Sequence, residues 1–394
     1  MNYLARANEL RDDIVTDRRT IHRIGGVGLD LRESAEYIKR RLAQMGIESH
    51  EIMECGIVAT IGKGEKTFLL RADFDALPLV EQTGLDFACT NGSCHACGHD
   101  FHASMLLGAA HMLKERENEL CGTVKLMFQP GEEILGGARP MVEAGVLENP
   151  RVDAAMAIHI VGGTDVSQVG TVRYSRGATY SAVDKIKITV CGKGGHGALP
   201  HQTIDPINIT GEILAAIRYT LALEVPAPEH VTVTFGKIWG GTADNIIPNQ
   251  VELIGTIRSY TPAMREFIKA RLIEVVEGTA RAFRATATVS YDGPNCGPVI
   301  NNIPMAEQMF GYIADVTGKD GVSLINEPAC FGSEDFAFVS ERVPAVMIAL
   351  GVGSTDQGYD KSAHNPAALF DEAALPVGAA LLANCADHWL KDHC

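Results

Sequence analysis

The chain lacks any apolar run of membrane-spanning length, and its opening segment, Met1 to Arg19, is charged throughout instead of carrying an apolar core that ends in small residues. Neither a transmembrane protein nor a secretory leader is expected from such a sequence. Positive charge is scarce too: Lys and Arg number 34 against 49 Asp and Glu, a formal charge of −15. An acidic surface of that kind repels phosphate backbones and anionic membranes. No nucleic acid and no membrane is expected as a partner, and an anionic small molecule would have to be met by local positive charge inside a cleft. Low-complexity tracts are missing, and 46% hydrophobic with 21% charged residues describes an ordinary folded protein. The ten cysteines follow no framework spacing, so in a chain this long they read as reduced thiols in a bacterial-type cytoplasm. Two further absences narrow the chemistry. No second Cys-x-x-Cys accompanies Cys94-His95-Ala96-Cys97, so a four-thiolate zinc site has no other half. The glycine loop Gly192 to Gly197 lacks the closing Gly-Lys-Ser/Thr of a phosphate loop.

What is present is periodic. A length of 394 residues predicts two domains. Between Asp184 and Tyr291 the pattern runs strand, helix, strand, strand, helix, strand: Ile186, Ile188 and Val190 alternate, Ile207 to Leu221 is helical, and Val231, Val233 and Phe235 alternate again. Val251 to Ile257 is apolar on both faces. Met264, Phe267, Ile268, Leu272, Val275, Val276, Ala280 and Phe283 then mark one helical face, and Ala287, Val289 and Tyr291 close the series. That order is ferredoxin-like. The expected architecture is α/β: a doubly wound, mainly parallel sheet in residues 1–183 and 294–394, with an inserted ferredoxin-like α+β domain at 184–293. Strand candidates Thr67 to Arg71, Thr123 to Gln129 and Ala154 to Ile158 each end just before polar candidates, and Ala345 to Leu350 leads into the loop carrying His364, the end at which open α/β sheets bind ligands.

Those candidates suit a metal. His95-Ala96-Cys97-Gly98-His99-Asp100 sets a thiolate and an imidazole two positions apart, directly before the helical run Met105 to Leu113, so both can converge on one ion. Glu132-Glu133, after Phe128-Gln129-Pro130-Gly131, offers one carboxylate to hold metal and another to manage the protons of an attacking water. His159 and His364 come to the same sheet end. His102 reads as a supporting or packing residue, and His196 as a polar group reaching from a glycine loop.

Taken together, these motifs resemble the two-metal aminoacylase and carboxypeptidase superfamily, in the branch of hippurate hydrolases, auxin-conjugate hydrolases and N-acetyl-diaminopimelate deacetylases. The resemblance covers nearly the whole chain. It rests on Arg71 to Pro78, His95 to Asp100, Phe128 to Glu133, Gly194-Gly195-His196, Asn245 to Pro248, Gly255 to Arg258, Gly332 to Phe336 and His364. It implies two divalent ions per chain (Zn, Mn, Co or Ni), with Cys97 bridging, His99 and His159 completing one and Glu133 and His364 the other. Glu132 is then the general base, and Asp73 a carboxylate that orients a ligand. Arg71 stands where other branches carry a histidine, and a guanidinium cannot ligate. The segment His22 to Gly28 lacks the usual Pro-Glu pair, and Cys94 replaces a frequent methionine.

The expected function is a cytosolic metal-dependent amidohydrolase of N-acyl amino acids, working by metal-activated water. His196 would donate to the oxyanion, and Asn245 and Arg258 would hold the substrate carboxylate. The same resemblance makes residues 1–183 and 294–394 the catalytic domain and the inserted segment 184–293 a lid and dimerisation domain, and it implies a homodimer through that lid. The rivals are a dipeptidase or carboxypeptidase of the same superfamily, a cysteine-nucleophile amidase using Cys97, and a metal-storage module for which Glu132 would be superfluous. Acetyl-diaminopimelate, hippurate, aminobenzoyl-glutamate and dipeptides all fit as substrates.

Overall fold

Strand Thr67–Asp73 lies where the strand order of an eight-stranded sheet reverses. In this computed structural model, which describes residues 1–328 and 330–394, it is flanked by Thr123–Gln129 on one side and Ala154–Val161 on the other. Ala345–Gly351 follows Ala154–Val161. These four neighbours are mutually parallel, while Ser49–Met53 and Gly56–Gly62 extend the sheet antiparallel at one edge. Thr67–Asp73 and Thr123–Gln129 are buried along their whole length, as expected of parallel strands covered on both faces. The four parallel strands therefore point their carboxyl ends at one place, next to the reversal of strand order, which is where open α/β sheets place their ligands.

The sheet runs further than the sequence pattern suggested. Thr67–Asp73 and Ala154–Val161 include Asp73 and His159 within the strands, so both are held by ladder hydrogen bonds and not by loops. Helices His99–Glu115 and Leu375–His393 pack against Thr67–Asp73. Lys125, buried in the middle of its strand, donates to the carbonyls of Val146, Glu148 and Pro150 at 3.0, 2.7 and 2.7 Å, so its ammonium is satisfied and the loop after Glu143 is tied to the sheet.

The chain divides into two compact units. The second comprises Tyr180–Pro298 with Cys330–Glu334, where the sequence pattern had drawn boundaries at 184 and 293. It holds an antiparallel sheet in the order Val231–Gly240, Gln250–Ser259, Ala182–Cys191, Thr286–Ser290. The two helices have clear starts. Asp205 accepts from the Ile207 and Asn208 amides ahead of Pro206–Glu224, and Thr261 accepts from the Met264 amide ahead of Pro262–Ala282; each has proline at its first position. The buried stripe of the second helix is narrower than the apolar spacing implied: Met264, Ile268, Leu272, Val276 and Ala280 are buried, whereas Phe267 and Phe283 are 40% and 47% exposed. A seam stepping by four residues fits one sheet surface and leaves the flanking positions outside. Gln250–Ser259 likewise alternates in burial instead of being covered on both faces.

Leu272 is fully buried in this unit's own core. Leu272→Ala should lower stability by about 2–5 kcal/mol, measured by denaturant unfolding, with the loss confined to the transition that reports the second unit.

Candidate metal centre and active site

Gly98 makes the cluster sterically possible. It adopts φ +83°, and a Cβ there would come within 2.1 Å of Ile160 Cδ1. Glycine alone fits. The turn places Cys97 and His99 side by side and starts the helix His99–Glu115 at the imidazole. Ligand-type atoms of Cys97, His99 and His159 lie within 4.8 Å of one another, as do those of Cys97, Glu133 and His364, and those of His99, Glu132 and Glu133. Cys97 belongs to the first two groups. His364 is held in the left-handed region at φ +66°, and its amide donates to the Ala96 carbonyl at 2.8 Å, tying its loop to the cysteine turn. A strained histidine at such a position is typical of functional sites.

Each imidazole is oriented by its far nitrogen. His159 Nδ1 donates to the Ile160 carbonyl at 2.6 Å, which turns Nε2 toward Cys97 Sγ, 3.5 Å away. His99 Nδ1 donates to Asp75 Oδ1 at 3.2 Å. His99 Nε2 lies 3.9 Å from both Glu132 and Glu133. His102 uses both nitrogens: Nδ1 donates to Asp73 Oδ1 at 2.5 Å, and Nε2 accepts from the Ile160 amide at 3.0 Å. Having no lone pair left, His102 supports the site without ligating. Asp73 thus bonds His102 and pairs with Arg71 at 2.8 Å, while the carboxylate that orients His99 is Asp75. Arg71 is fully buried between Asp73 and Asp335, the latter at 3.1 Å, and donates to Gln129 at 2.9 Å.

These residues fit a bound cation. His99 Nε2 and Glu133 Oε1 are buried without a hydrogen-bond partner of ordinary geometry among the described residues, and both face the Cys97 thiol. Burial pushes that thiol up, so it stays protonated unless a cation displaces the proton. Burial pushes His159 down to about 3, leaving a neutral imidazole ready to coordinate. For His99 the effect of burial is outweighed by Asp73, Cys97 and Asp75, and the ring is held above its ordinary value. An unactivated, protonated thiol is the opposite of what a cysteine nucleophile requires.

Behind the turn, Asp100 is buried against Arg18 at 2.7 Å and His22 at 2.9 Å, and His22 reaches Glu81 at 3.0 Å. Sequence reading gave none of Arg18, His22, Asp75, Glu81 and Asp100 a role. Asp75 had a visible signal, since Arg71, Asp73 and Asp75 follow a period of two at a strand end. The other four had none, because their partners are distant in sequence.

The remaining sequence candidates lie in the second unit. His196 and Asn245 are adjacent: Gly195–His196 pairs antiparallel with Ile246–Ile247, and the Gly197 amide donates to the Asn245 carbonyl at 2.9 Å. His196 Nδ1 accepts from the Ala198 amide at 3.1 Å, so Nε2 carries the proton. Arg258 stands apart from them. The ribbon joins strand Gln250–Ser259 at Gln250, and Arg258 is eight residues on, about 27 Å along an extended strand. Asn245 and Arg258 of one chain therefore do not meet at one carboxylate. Arg258 Nη1 is buried with no hydrogen-bond partner among the described residues.

Buried thiol, imidazoles and carboxylates at the ends of parallel strands define a metal-dependent hydrolase, and comparison with known proteins agrees. Residues 69–388 match Peptidase family M20/M25/M40, and the chain belongs to that family. It is similar to IAA-amino acid hydrolase ILR1-like 4 of Arabidopsis thaliana, 34% identical over 99% of this chain and 88% of that protein. It is 32% identical to N-acetylcysteine deacetylase of Bacillus subtilis over 95% and 96% of the two chains. Among solved structures, a dinuclear metal binding peptidase of the M20 family from Bacillus subtilis superposes with TM-score 0.82 at 30% identity, over 98% of this chain and 99% of that one. The chain is accordingly a metallo-hydrolase acting on amide bonds, and no helix among the described residues is long and apolar enough to cross a membrane.

Burial opposes ionisation of Glu81, but hydrogen bonds from His22, Thr83 and the Cys89 amide outweigh it and hold the carboxyl down to about 2. A folded value below the unfolded one adds stability above about pH 4.5 that disappears as the pH falls toward 2. Glu81→Gln should flatten that stretch of the acid-unfolding curve, followed by circular dichroism from pH 5 to 2.

Proposed function

We propose that this protein hydrolyses the amide of N-acyl amino acids in the cytosol, releasing a carboxylate and a free amino acid. One observation carries the reading: Cys97 stands at the corner shared by two donor groups, with Glu132 beside His99 and Glu133 in a third. Cys97, His99 and His159 would hold one divalent ion, and Cys97, Glu133 and His364 the other. Zinc, manganese, cobalt and nickel all suit such a mixed donor set. When bound, the pair supplies Lewis acidity to the scissile carbonyl and acidifies water. Glu132, 7% exposed, takes the proton of the attacking water and delivers it to the leaving nitrogen. His196, with its proton on Nε2, is set up to donate to the oxyanion. Arg258, whose Nη1 has no hydrogen-bond partner among the described residues, receives the substrate carboxylate. All ten cysteines are free thiols, which suits a reducing cytoplasm. The acyl group is the open variable, and Thermostable carboxypeptidase 1 of Saccharolobus solfataricus, 33% identical over 94% of this chain, keeps peptides in view. A panel of N-acyl amino acids and dipeptides assayed on metal-reconstituted enzyme tests the reading, which requires acyl amino acids to be the faster class.

Glu132→Gln keeps the shape of the side chain but cannot take a proton. It should retain the metal content of the parent by elemental analysis while kcat falls by about 10²- to 10⁴-fold. Loss of metal instead would assign Glu132 as a ligand.

The separation of Asn245 and Arg258 supports a homodimer in which His196 and Asn245 serve the partner's substrate. Val231–Gly240 is an edge strand exposed along most of its length, with Ile238 and Trp239 at 59% and 46%, and pairing with a second copy would cover it. Mixing His196→Ala with Glu132→Gln chains should then restore part of the activity. No recovery, with subunit exchange demonstrated by mass spectrometry, would mean that each site is complete within one chain.

A further inference from the structure

We propose that His230, Tyr260 and Phe331 form a subsite for the side chain of the amino acid whose carboxylate Arg258 receives, so that substrates carrying an aromatic side chain are favoured. The inference rests on the function proposed above. All four residues lie in the second unit. On the antiparallel pair Val231–Gly240 and Gln250–Ser259, Thr232 stands opposite Arg258 and Val231 opposite Ser259, so the next pair outward is His230 with Tyr260. Residues two apart on a strand share a face, as do residues directly opposite. Arg258, Thr232, Tyr260 and His230 therefore lie on one face, while Leu253 and Ile257 on the other pack into the core of the unit. Phe331 closes the group. The ring centroids of His230 and Tyr260 are 6.2 Å apart, those of His230 and Phe331 6.2 Å and those of Tyr260 and Phe331 5.3 Å, at interplanar angles of 89°, 86° and 63°.

Contacts of this edge-to-face kind leave ring faces free to take a further ring. The group is also held still. Tyr260 is 4% exposed, and its hydroxyl donates to the Cys330 carbonyl at 2.9 Å. Ser181 Oγ donates to the Phe331 carbonyl at 2.9 Å, and the Ser181 amide donates to the Gly332 carbonyl at 2.9 Å. The backbone around Phe331 is thus fixed, yet its ring is 60% exposed. A phenylalanine held this way presents a ring at a set place, one strand step of about 7 Å from Arg258. In an amino acid the carboxylate and the side chain branch from the same Cα. With the carboxylate on Arg258, a benzyl group spans to the three rings and the methyl group of alanine falls short. The acyl group leaves Cα by a separate branch, through the nitrogen, so the rings read the amino acid and not the acyl group.

The test is hydrolysis of N-acetylphenylalanine, N-acetylalanine and N-benzoylalanine by metal-reconstituted, full-length wild type, Phe331→Ala and Arg258→Ala, with the native mass of each protein recorded. Wild type should prefer N-acetylphenylalanine to N-acetylalanine by about 10- to 100-fold in kcat/KM. Phe331→Ala should cut that ratio by about 5-fold or more. Arg258→Ala removes the partner of a carboxylate that both substrates share, so it should lower both by like factors and keep the ratio. The free amino acids give a readout that needs no turnover: phenylalanine should bind wild type more tightly than alanine by titration calorimetry, and lose that advantage in Phe331→Ala. A wild-type ratio near one, or a ratio that Phe331→Ala leaves unchanged, would overturn the inference alone. So would a loss confined to N-benzoylalanine, which would assign the rings to the acyl group. A changed native mass with the ratio kept would assign Phe331 to a contact between chains and overturn it too. No turnover of any of the three by wild type would overturn the function reading, and the inference with it. Should Phe331→Ala not fold, His230→Ala, at an exposed position, carries the same expectation.

Discussion

A thiol, two imidazoles and a carboxylate are crowded into a buried corner where each imidazole is oriented from its far side and their near sides face one another. His99 and His159 spend their outer nitrogens on Asp75 and on the Ile160 carbonyl, and their inner nitrogens face Cys97 and Glu133. Left alone, such a cluster is costly, because its desolvated polar atoms recover from one another only part of what they lose in leaving water. A dication reverses that balance. The rest of the catalytic unit follows from holding the corner in place without it.

The supporting frame is built from buried ion pairs. Arg71 sits between Asp73 and Asp335, and Arg18 with His22 sits against Asp100. Pairs of this kind contribute little net stability, since desolvation offsets the attraction. What they supply is geometry: they tie strand Thr67–Asp73 to Asp335 and helix Arg11–Ile24 to the first turn of helix His99–Glu115, so that the surroundings of the cluster are fixed before any ion arrives. At Arg71 this chain places a buried cation in the frame, between two carboxylates.

Much of this was legible in the sequence, and the parts that were not share a cause. The central strands, the helix after His99 and the βαββαβ order of the second unit follow from periodicity of two and 3.6 and from Asp205 and Thr261 before prolines, while the strands run on past their expected ends at Arg71 and Ile158. The Cys97-Gly98-His99 spacing and the Glu132-Glu133 pair pointed to metal before any contact was known. Phe267 and Phe283 misled, because apolar spacing does not say how wide a helical stripe its sheet will cover. Asp75 was written in the motif, yet its role lies in accepting from two segments more than twenty residues away, which no local pattern records. Glu81, His22 and Arg18 were invisible for the same reason, and the separation of Asn245 from Arg258 appears only once the strand between them is known to be straight and extended.

Anomalous diffraction from a zinc-loaded crystal, with data on both sides of the zinc edge, examines the central claim most directly. The account predicts two peaks per chain, both within thiolate bonding distance of Cys97 Sγ, about 2.3 Å, one beside His99 and His159 and the other beside Glu133 and His364. A single peak at full activity, or two peaks with Cys97 bonded to neither, would contradict it.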